Sequence, residues 1–197
     1  GHTYIRATHF DQYIGMVEGD RDDATGKFLK AVAGGGQQIA TNDDFISIDP
    51  FVPYQHVQHL KLSADNSFNA GRSKVDVSMG YQRNQRKEFG DPDNSNDPVA
   101  YFDLNTVNYT LKWNLPYKEN WRTSSGLSGM NQTNKNKAGE ALIPDYDLFD
   151  LGGFVFTQHH QGKLSLSGGL RFANRHVDGK EMMEGVDNKF AEFTKNF

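Results

Sequence analysis

The sequence predicts an all-β protein built as an antiparallel up-and-down meander. Runs of alternating apolar and polar residues recur along the 197-residue chain, and this period of two is typical of strands with two different faces. The connections between the runs alternate between short and long. The composition agrees, because the 14 Phe and 8 Tyr favour strands and the 20 Gly supply turns.

The alternation predicts about seven strands, near residues 3–16, 55–69, 73–88, 100–115, 120–132, 146–159 and 163–175. The third strand shows the pattern most clearly. Its apolar face carries Val75, Val77, Met79 and Tyr81. Its polar face carries Lys74, Asp76, Ser78 and Gln82. If the polar face lines a lumen, period two directs the apolar set outward.

The connections predict how the strands are arranged. Tight turns are expected at 69–72, 116–119 and 160–162, each of which contains a Gly or a Pro. Long polar connections are expected at 17–54, 87–99 and 131–144, with a polar tail from Asp178. Alternate connections of a meander lie at the same end. The sequence therefore predicts nearest-neighbour antiparallel pairing, with tight turns at one end and long loops at the other.

The last predicted strand raises the question of what covers its apolar face. Leu164, Leu166, Leu170 and Phe172 alternate with polar residues. In a soluble sandwich or lipocalin-like barrel, a second layer or the barrel interior would cover such a face; in an outer-membrane barrel, lipid would. We expect Leu166 to lie in the middle of its strand and Phe172 to lie nearer an end.

Two observations favour lipid. Lys, Asp, Asn, Gln and Arg lie deep within the strands on the polar face, as in a water-filled lumen. Three aromatic residues lie near strand ends, where amphipathic rings mark a membrane interface. These predicted interface aromatics are Phe68, Trp113 and Trp121.

Composition and motifs argue against several other functions. The net charge of −4 and pI near 6.0 give no basic stripe for nucleic acid. The mean hydropathy of −0.71 and the absence of long apolar runs argue against helical membrane spans, and no apolar signal-peptide core is present. Without cysteine, thiolate chemistry is excluded. No catalytic set or cofactor loop is found, so we expect neither an enzyme nor a cofactor.

Possible metal and phosphate motifs fail at their discriminating positions. The stretch from Asp91 resembles the start of a calcium loop, but Asn96 replaces the obligatory Gly and Phe102 the bidentate Glu. His56 and His59 are spaced for a helix, whereas their segment is predicted to be a strand. The glycines of 33–38 lack the Lys-Ser/Thr of a phosphate loop. We therefore expect no metal site, and a flexible loop at 33–38.

Candidate ligand-binding residues lie on the polar face. Asn84, Arg86 and Glu88 share that face at the outer end of their strand, and Arg171 lies on the same face of the last strand. A basic side chain there suits an anionic ligand or a carboxylate of a neighbouring domain. The alternative is an ordinary network of ion pairs in the lumen wall.

Several sequence segments, in this order along the chain, resemble segments of the β-barrel of TonB-dependent outer-membrane receptors. They are "VEGDRDDATGKF", "PYQHVQHLKL", "GYQRNQRKEF", "LIPDYDLFDLGGF" and "LSLSGGLRFANRH". The resemblance covers nearly all of 3–197. It implies a barrel of about 22 strands around a plug domain, located in the outer membrane of a Gram-negative bacterium. Residues 1–197 would be an interior portion of that barrel, a partial transmembrane domain without the plug, the TonB box or the remaining strands.

The resemblance also implies a transport function. Such receptors import a scarce small molecule, and a ferric siderophore is the expected ligand. Expected partners are outer-membrane lipid and the TonB system, which acts through an N-terminal box. Two alternatives remain open at this point: a soluble all-β ligand-binding module, and an outer-membrane porin or adhesin that imports nothing by TonB energy.

Overall fold

A computed structural model describes residues 1–16, 19–184 and 187–197. The main strands are β1 (His2–Gly15), β4 (Tyr54–Ala70), β5 (Ser73–Phe89), β6 (Ala100–Asn114), β7 (Trp121–Asn136), β8 (Tyr146–Gln161) and β9 (Leu164–Gly179). The short elements are β2 (Leu29–Val32), β3 (Gly36–Ile39), α1 (Asn42–Ile46), β10 (Met182–Glu184), β11 (Asp187–Phe190) and β12 (Phe193–Asn196).

The main strands form one antiparallel meander in the order β1-β4-β5-β6-β7-β8-β9-β12. All seven predicted strands are present, and the predicted nearest-neighbour pairings are confirmed. The sheet has eight strands rather than seven, because the short β12 pairs with the end of β9. Within the described residues, β1 pairs only with β4 and β12 only with β9, so the sheet is open rather than closed into a barrel.

Three two-residue turns join β4 to β5, β6 to β7, and β8 to β9. Gly71 and Gly162 have φ values of 62° and 60° and stand first in their turns, as type II′ hairpins require. The predicted turn at 116–119 was misplaced. The chain continues in pairing until Lys118 bridges Trp121, and Glu119 and Asn120 make the turn with φ values of 47° and 69°.

The long connections at the opposite end contain structure that the sequence analysis missed. In the first of them, β2 and β3 form a hairpin. The prediction of a flexible loop at 33–38 is wrong, because this stretch contains the hairpin turn and most of β3. The turn uses Gly34 and Gly35, with φ values of 85° and 73°. The short helix α1 follows, held by a capping box between Thr41 and Asp44.

The position of Leu166 along its strand also differs from expectation. Strand β9 runs from Leu164 to Gly179, so Leu166 lies close to the tight turn and not at the middle. Phe172 lies near the middle instead. The prediction failed because the strand extends past 175, where β12 continues the pairing.

The sheet is a single layer with few buried apolar side chains. In the described part of the chain, the buried hydrophobic residues are Val52, Phe89, Ala100 and Met182. None of the described helices is long and apolar enough to cross a membrane. The stability of this layer therefore rests on strand pairing and on what covers its two faces.

Candidate functional site

The register of the strands divides the sheet into two chemically different faces. We call the apolar face the one that carries Val75, Val77, Met79 and Tyr81 of β5. Cross-strand pairing places further apolar residues on this face. They include Leu60, Leu62, Phe68, Val107, Leu111, Trp113, Leu127, Phe149, Leu151, Val155, Leu166, Leu170 and Phe172.

The apolar face is exposed. Leu170 and Phe172 keep 83% and 82% of their surface accessible. Within strands β4 to β9, every exposed large hydrophobic side chain except Phe156 lies on this face. Strand β1 is different, since Tyr4, Phe10 and Ile14 lie on its other face. Six neighbouring strands thus present a continuous apolar surface, and no described part of the chain forms a layer over it.

The opposite, polar face is the more buried one. Ser67, Thr106, Ser124, Asn134 and Asp150 all lie there and are buried, Thr106 and Asn134 to 2% exposure. The separation of Asp76 and Ser78 from Met79 agrees with the predicted alternation. A water-soluble protein does the opposite, burying apolar side chains and exposing polar ones.

Two tyrosine hydroxyls on the apolar face find hydrogen-bond partners within the sheet. The Tyr81 hydroxyl donates to Asn105 Oδ1 at 2.9 Å. The Tyr109 hydroxyl donates to the Asp150 carbonyl at 3.1 Å, reaching across Gly129. Such internal pairing lowers the cost of placing these groups in an apolar medium.

The three predicted interface aromatics lie on the apolar face near the tight turns. Phe68 and Trp113 flank Val75 in one cross-strand row. Trp121 packs on His159 with ring centroids 4.5 Å apart. All three rings are about half exposed.

A second group of aromatics, which the sequence analysis missed, lies at the loop end of the same face. Tyr13, Tyr54 and Tyr101 occupy the outer ends of β1, β4 and β6. From Trp113 to Tyr101 the strand advances about 40 Å at ~3.4 Å per residue. A strand tilted by about 40°, as in membrane barrels, would span ~31 Å along the barrel axis over this length. Extending the search for aromatics to the loop ends of the strands would have found them.

The predicted ligand-binding residues lie on the polar face, but the structure does not bring them all together. Arg86 pairs with Glu88 at 2.7 Å, and Gln55 donates to Glu88 at 3.3 Å. Asn84 lies on the same face of β5. Arg171 lies on β9, which β6, β7 and β8 separate from β5.

Arg171 belongs instead to a cluster around Asp150 that the sequence analysis missed. Arg175 donates to Asp150 at 3.1 Å, and Arg171 lies 3.8 Å from the same carboxylate. Arg171 also donates to Ser128 at 2.5 Å. Two cations around one carboxylate leave an excess of positive charge on the polar face. The i, i+4 spacing of the arginines was visible in the sequence, but their partner depended on the register.

The first long connection encloses a cleft of about 510 Å³ beside the outer end of β1. Its lining includes Phe28, Phe45, Phe51 and the ion pair of Lys30 with Asp44, at 2.9 Å. The Lys30 ammonium also lies 4.5 Å from the centre of the Phe51 ring. Hydrogen bonds, first from the Thr41 backbone N–H and then from Lys30, lower the pKa of the Asp44 carboxyl.

The loops at this end contact one another. The Gly34 backbone N–H donates to Asp93 at 2.5 Å, which joins the β2–β3 hairpin to the loop after β5. The Tyr54 hydroxyl donates to the Ser95 carbonyl at 3.1 Å. The first long connection and the loop after β5 therefore contact each other beside the cleft.

The residues of the two rejected metal motifs are not arranged to bind a metal together. His56 and His59 point to opposite faces of β4, because they are three positions apart along a regular strand. The Asp91 carboxylate accepts hydrogen bonds from Asp93 and Asn94 of its own loop. Among the described residues, no group of three or more metal-ligating side chains is present.

Comparison of the chain with known proteins found no matching family model, no matching curated protein and no matching solved structure.

Proposed function

We propose that this sheet is part of the wall of an outer-membrane β-barrel, with its apolar face against lipid and its polar face towards a lumen. One observation carries the proposal: the exposed face is apolar and the more buried face is polar. This inverts the pattern of a soluble protein and is the pattern of a barrel wall in a bilayer. The aromatic side chains at both ends of the apolar face support it, because they are spaced as two interfacial girdles.

We further propose that the barrel belongs to a TonB-dependent receptor for a scarce small molecule, with a ferric siderophore as the expected ligand. The resemblance of five sequence segments to barrel segments of that family supports this finer assignment. The ordered outer loops, with their aromatic cleft, suit ligand capture. The arginines beside Asp150 and Arg86 beside Glu88 would face either the ligand's path or a plug domain. Energy would come from the TonB system.

Single cysteines test the membrane location, because the chain has none of its own. The matched pair is Leu111→Cys on the apolar face and Thr110→Cys on the polar face of β6. Each is labelled with a polarity-sensitive fluorophore in vesicles that contain nitroxide-labelled lipid. We expect strong quenching at position 111 and weak quenching at 110. Equal quenching at both positions, or a protein that stays monodisperse in buffer without vesicles, would contradict the proposal.

Uptake separates a receptor from a porin or an adhesin. Iron-starved cells carrying the intact protein are given a radiolabelled ferric siderophore, with and without a functional TonB system. A receptor accumulates the label only with TonB. Accumulation that is the same in both strains would indicate a porin, and membrane insertion without uptake of any tested siderophore would remove the siderophore assignment.

A further inference from the structure

Three cations lie close together at the outer end of the apolar face, and two of them bind one carboxylate. We call Arg83 and Lys87 of β5 together with Lys137 the basic cluster. Lys137 lies one residue beyond β7, and its backbone N–H donates to the Tyr101 carbonyl at 2.8 Å. The side chains of all three belong to the apolar face, since Arg83 pairs with Asn105 and Lys87 with Tyr101 across β6.

Asp103 and Tyr101 hold the basic cluster in place. Arg83 donates to the Asp103 carboxylate through Nε and Nη2, at 2.9 and 2.6 Å. Lys137 donates to the same carboxylate. The Asp103 side chain is only 3% exposed, whereas those of Arg83 and Lys137 are about two-fifths exposed. The surface therefore presents the cations and hides the anion.

The basic cluster contains more cations than carboxylates. The ammonium groups of Lys87 and Lys137 lie 5.0 and 5.3 Å from the centre of the same Tyr101 ring. The next carboxylates along this face, Asp145 and Asp147, lie nearest to Lys135, at 3.8 and 3.9 Å. Glu88, next to Lys87 in sequence, is on the polar face. The basic cluster itself contains three cations and one carboxylate, which is a local excess of positive charge.

The basic cluster also lies at a defined height in the bilayer, if the proposed function is correct. A strand needs about 10 residues to cross a hydrocarbon core when tilted by about 45°. Counted from Trp113 in the inner girdle, that length ends near Asp103. Arg83 thus lies at the outer edge of the apolar band, and Lys87 and Lys137 lie just beyond it, where lipid headgroups are.

We propose that the basic cluster binds the phosphate of a lipid headgroup in the outer leaflet, with the acyl chains lying along the apolar face below. Arg83, Lys87 and Lys137 would donate to the phosphate oxygens, and charge-assisted bonds of this kind are the strongest that proteins make to phosphate. The inference rests on the proposed membrane location. The shared chemistry is a phosphate group, and its two sources, lipid or free inorganic phosphate, are separated by the test.

The test uses the intact protein in maltoside micelles, titrated with phosphorylated lipid A and followed by native mass spectrometry. The variant is Lys87→Gln with Lys137→Gln. The matched control is Lys61→Gln with Lys112→Gln, which removes the same charge from the polar face. We expect the variant to bind lipid A about tenfold more weakly, the control to bind normally, and dephosphorylated lipid A to bind as weakly to all forms.

Equal binding by the variant and the control would overturn the inference. Competition by inorganic phosphate with the same affinity as lipid A would also overturn it, because the site would then serve the free anion. Nitroxide quenching of the label at Leu111→Cys in the same preparation, reconstituted in vesicles, reports membrane location separately. If quenching is normal and the lysine variant binds lipid A as well as the control does, only the lipid-site inference is wrong. If quenching is absent, the proposed function is wrong.

Discussion

Gly129 shows how closely neighbouring strands approach at the level of a single residue. It lies on the apolar face of β7, and the Tyr109 side chain crosses it to reach the Asp150 carbonyl. A Cβ atom at Gly129 would lie 2.0 Å from that carbonyl oxygen and 2.8 Å from the Tyr109 hydroxyl oxygen. Gly153, on the same face of β8, has room, because its nearest neighbour would be Leu127 Cδ2 at 3.6 Å.

We predict that Gly129→Ala lowers the free energy of unfolding by about 1–3 kcal/mol, because the added methyl group overpacks a site with backbone on one side. Gly153→Ala is the control and should change it by less than about 0.5 kcal/mol. Reversible urea unfolding in lipid vesicles measures both. Similar values for the two variants would show that the β7–β8 register differs from the one described.

At the scale of the element, β9 allows a direct measurement of depth if the sheet crosses a bilayer as proposed. Its apolar residues run from Leu164 beside the tight turn to Phe172 near the middle of the strand. Leu166 shares a cross-strand row with His159 and Trp121, close to the tight turns. Leu170 lies six residues beyond Leu164 along the strand, further from the tight turn, and is 83% exposed.

We predict that Leu170→Arg costs about 2–4 kcal/mol of unfolding free energy and Leu164→Arg about 0–1 kcal/mol, because the penalty for a charge falls from the bilayer centre to its interface. Ser167→Arg, on the polar face between them, should cost little. The measurement is unfolding in vesicles as above. Equal costs at 164 and 170 would indicate that a protein layer, and not lipid, covers β9.

The long strands were predictable from sequence because a two-faced sheet requires period two, and a run such as 73–88 has few other ways to separate its faces. The short elements were not. Strands β2, β3 and β12 are four residues long, too short to establish a period, and they depend on pairing across a turn or on the end of β9.

The candidate sites also include a part that was predictable from the sequence and a part that was not. Period two was enough to place Asn84, Arg86, Glu88 and Arg171 on one face. The cluster around Asp150 and the basic cluster around Asp103 bring together residues from three strands or their continuations. Their contacts depend on the registers of neighbouring strands, and only β6–β7 and β8–β9 among these pairs are joined by two-residue turns. The turn at Glu119 and Asn120 was misplaced in the sequence analysis. The residues of β6 that lie opposite each residue of β7 therefore could not be derived.

At the scale of the whole molecule, the open edge of the sheet at β1 indicates what the intact protein has to contain. Strand β1 pairs with β4 along its entire length, and within the described residues no strand lies on its other side. Half of its backbone groups therefore have no strand partner. In a bilayer each unsatisfied backbone group is costly, so a spanning sheet has to close. The proposed barrel implies that another strand pairs with this edge of β1 in the intact protein.

Amide hydrogen exchange tests that closure. In an antiparallel strand with one neighbour, alternate N–H groups point to the neighbour and the others to solvent, so slow and fast exchange alternate with period two. A strand with two neighbours exchanges slowly throughout. The informative stretch is residues 9–15 of β1, because it extends to the outer tyrosine girdle, where water can reach an unpaired edge. Residues 54–60 of β4, flanked by β1 and β5, serve as the control and should exchange slowly in either case. Measured by residue-resolved NMR in micelles, uniform slow exchange across 9–15 is the expected result for a closed barrel. Alternating fast and slow exchange there, with uniform protection in 54–60, would mean that the edge of β1 stays free and that the sheet is not part of a closed wall.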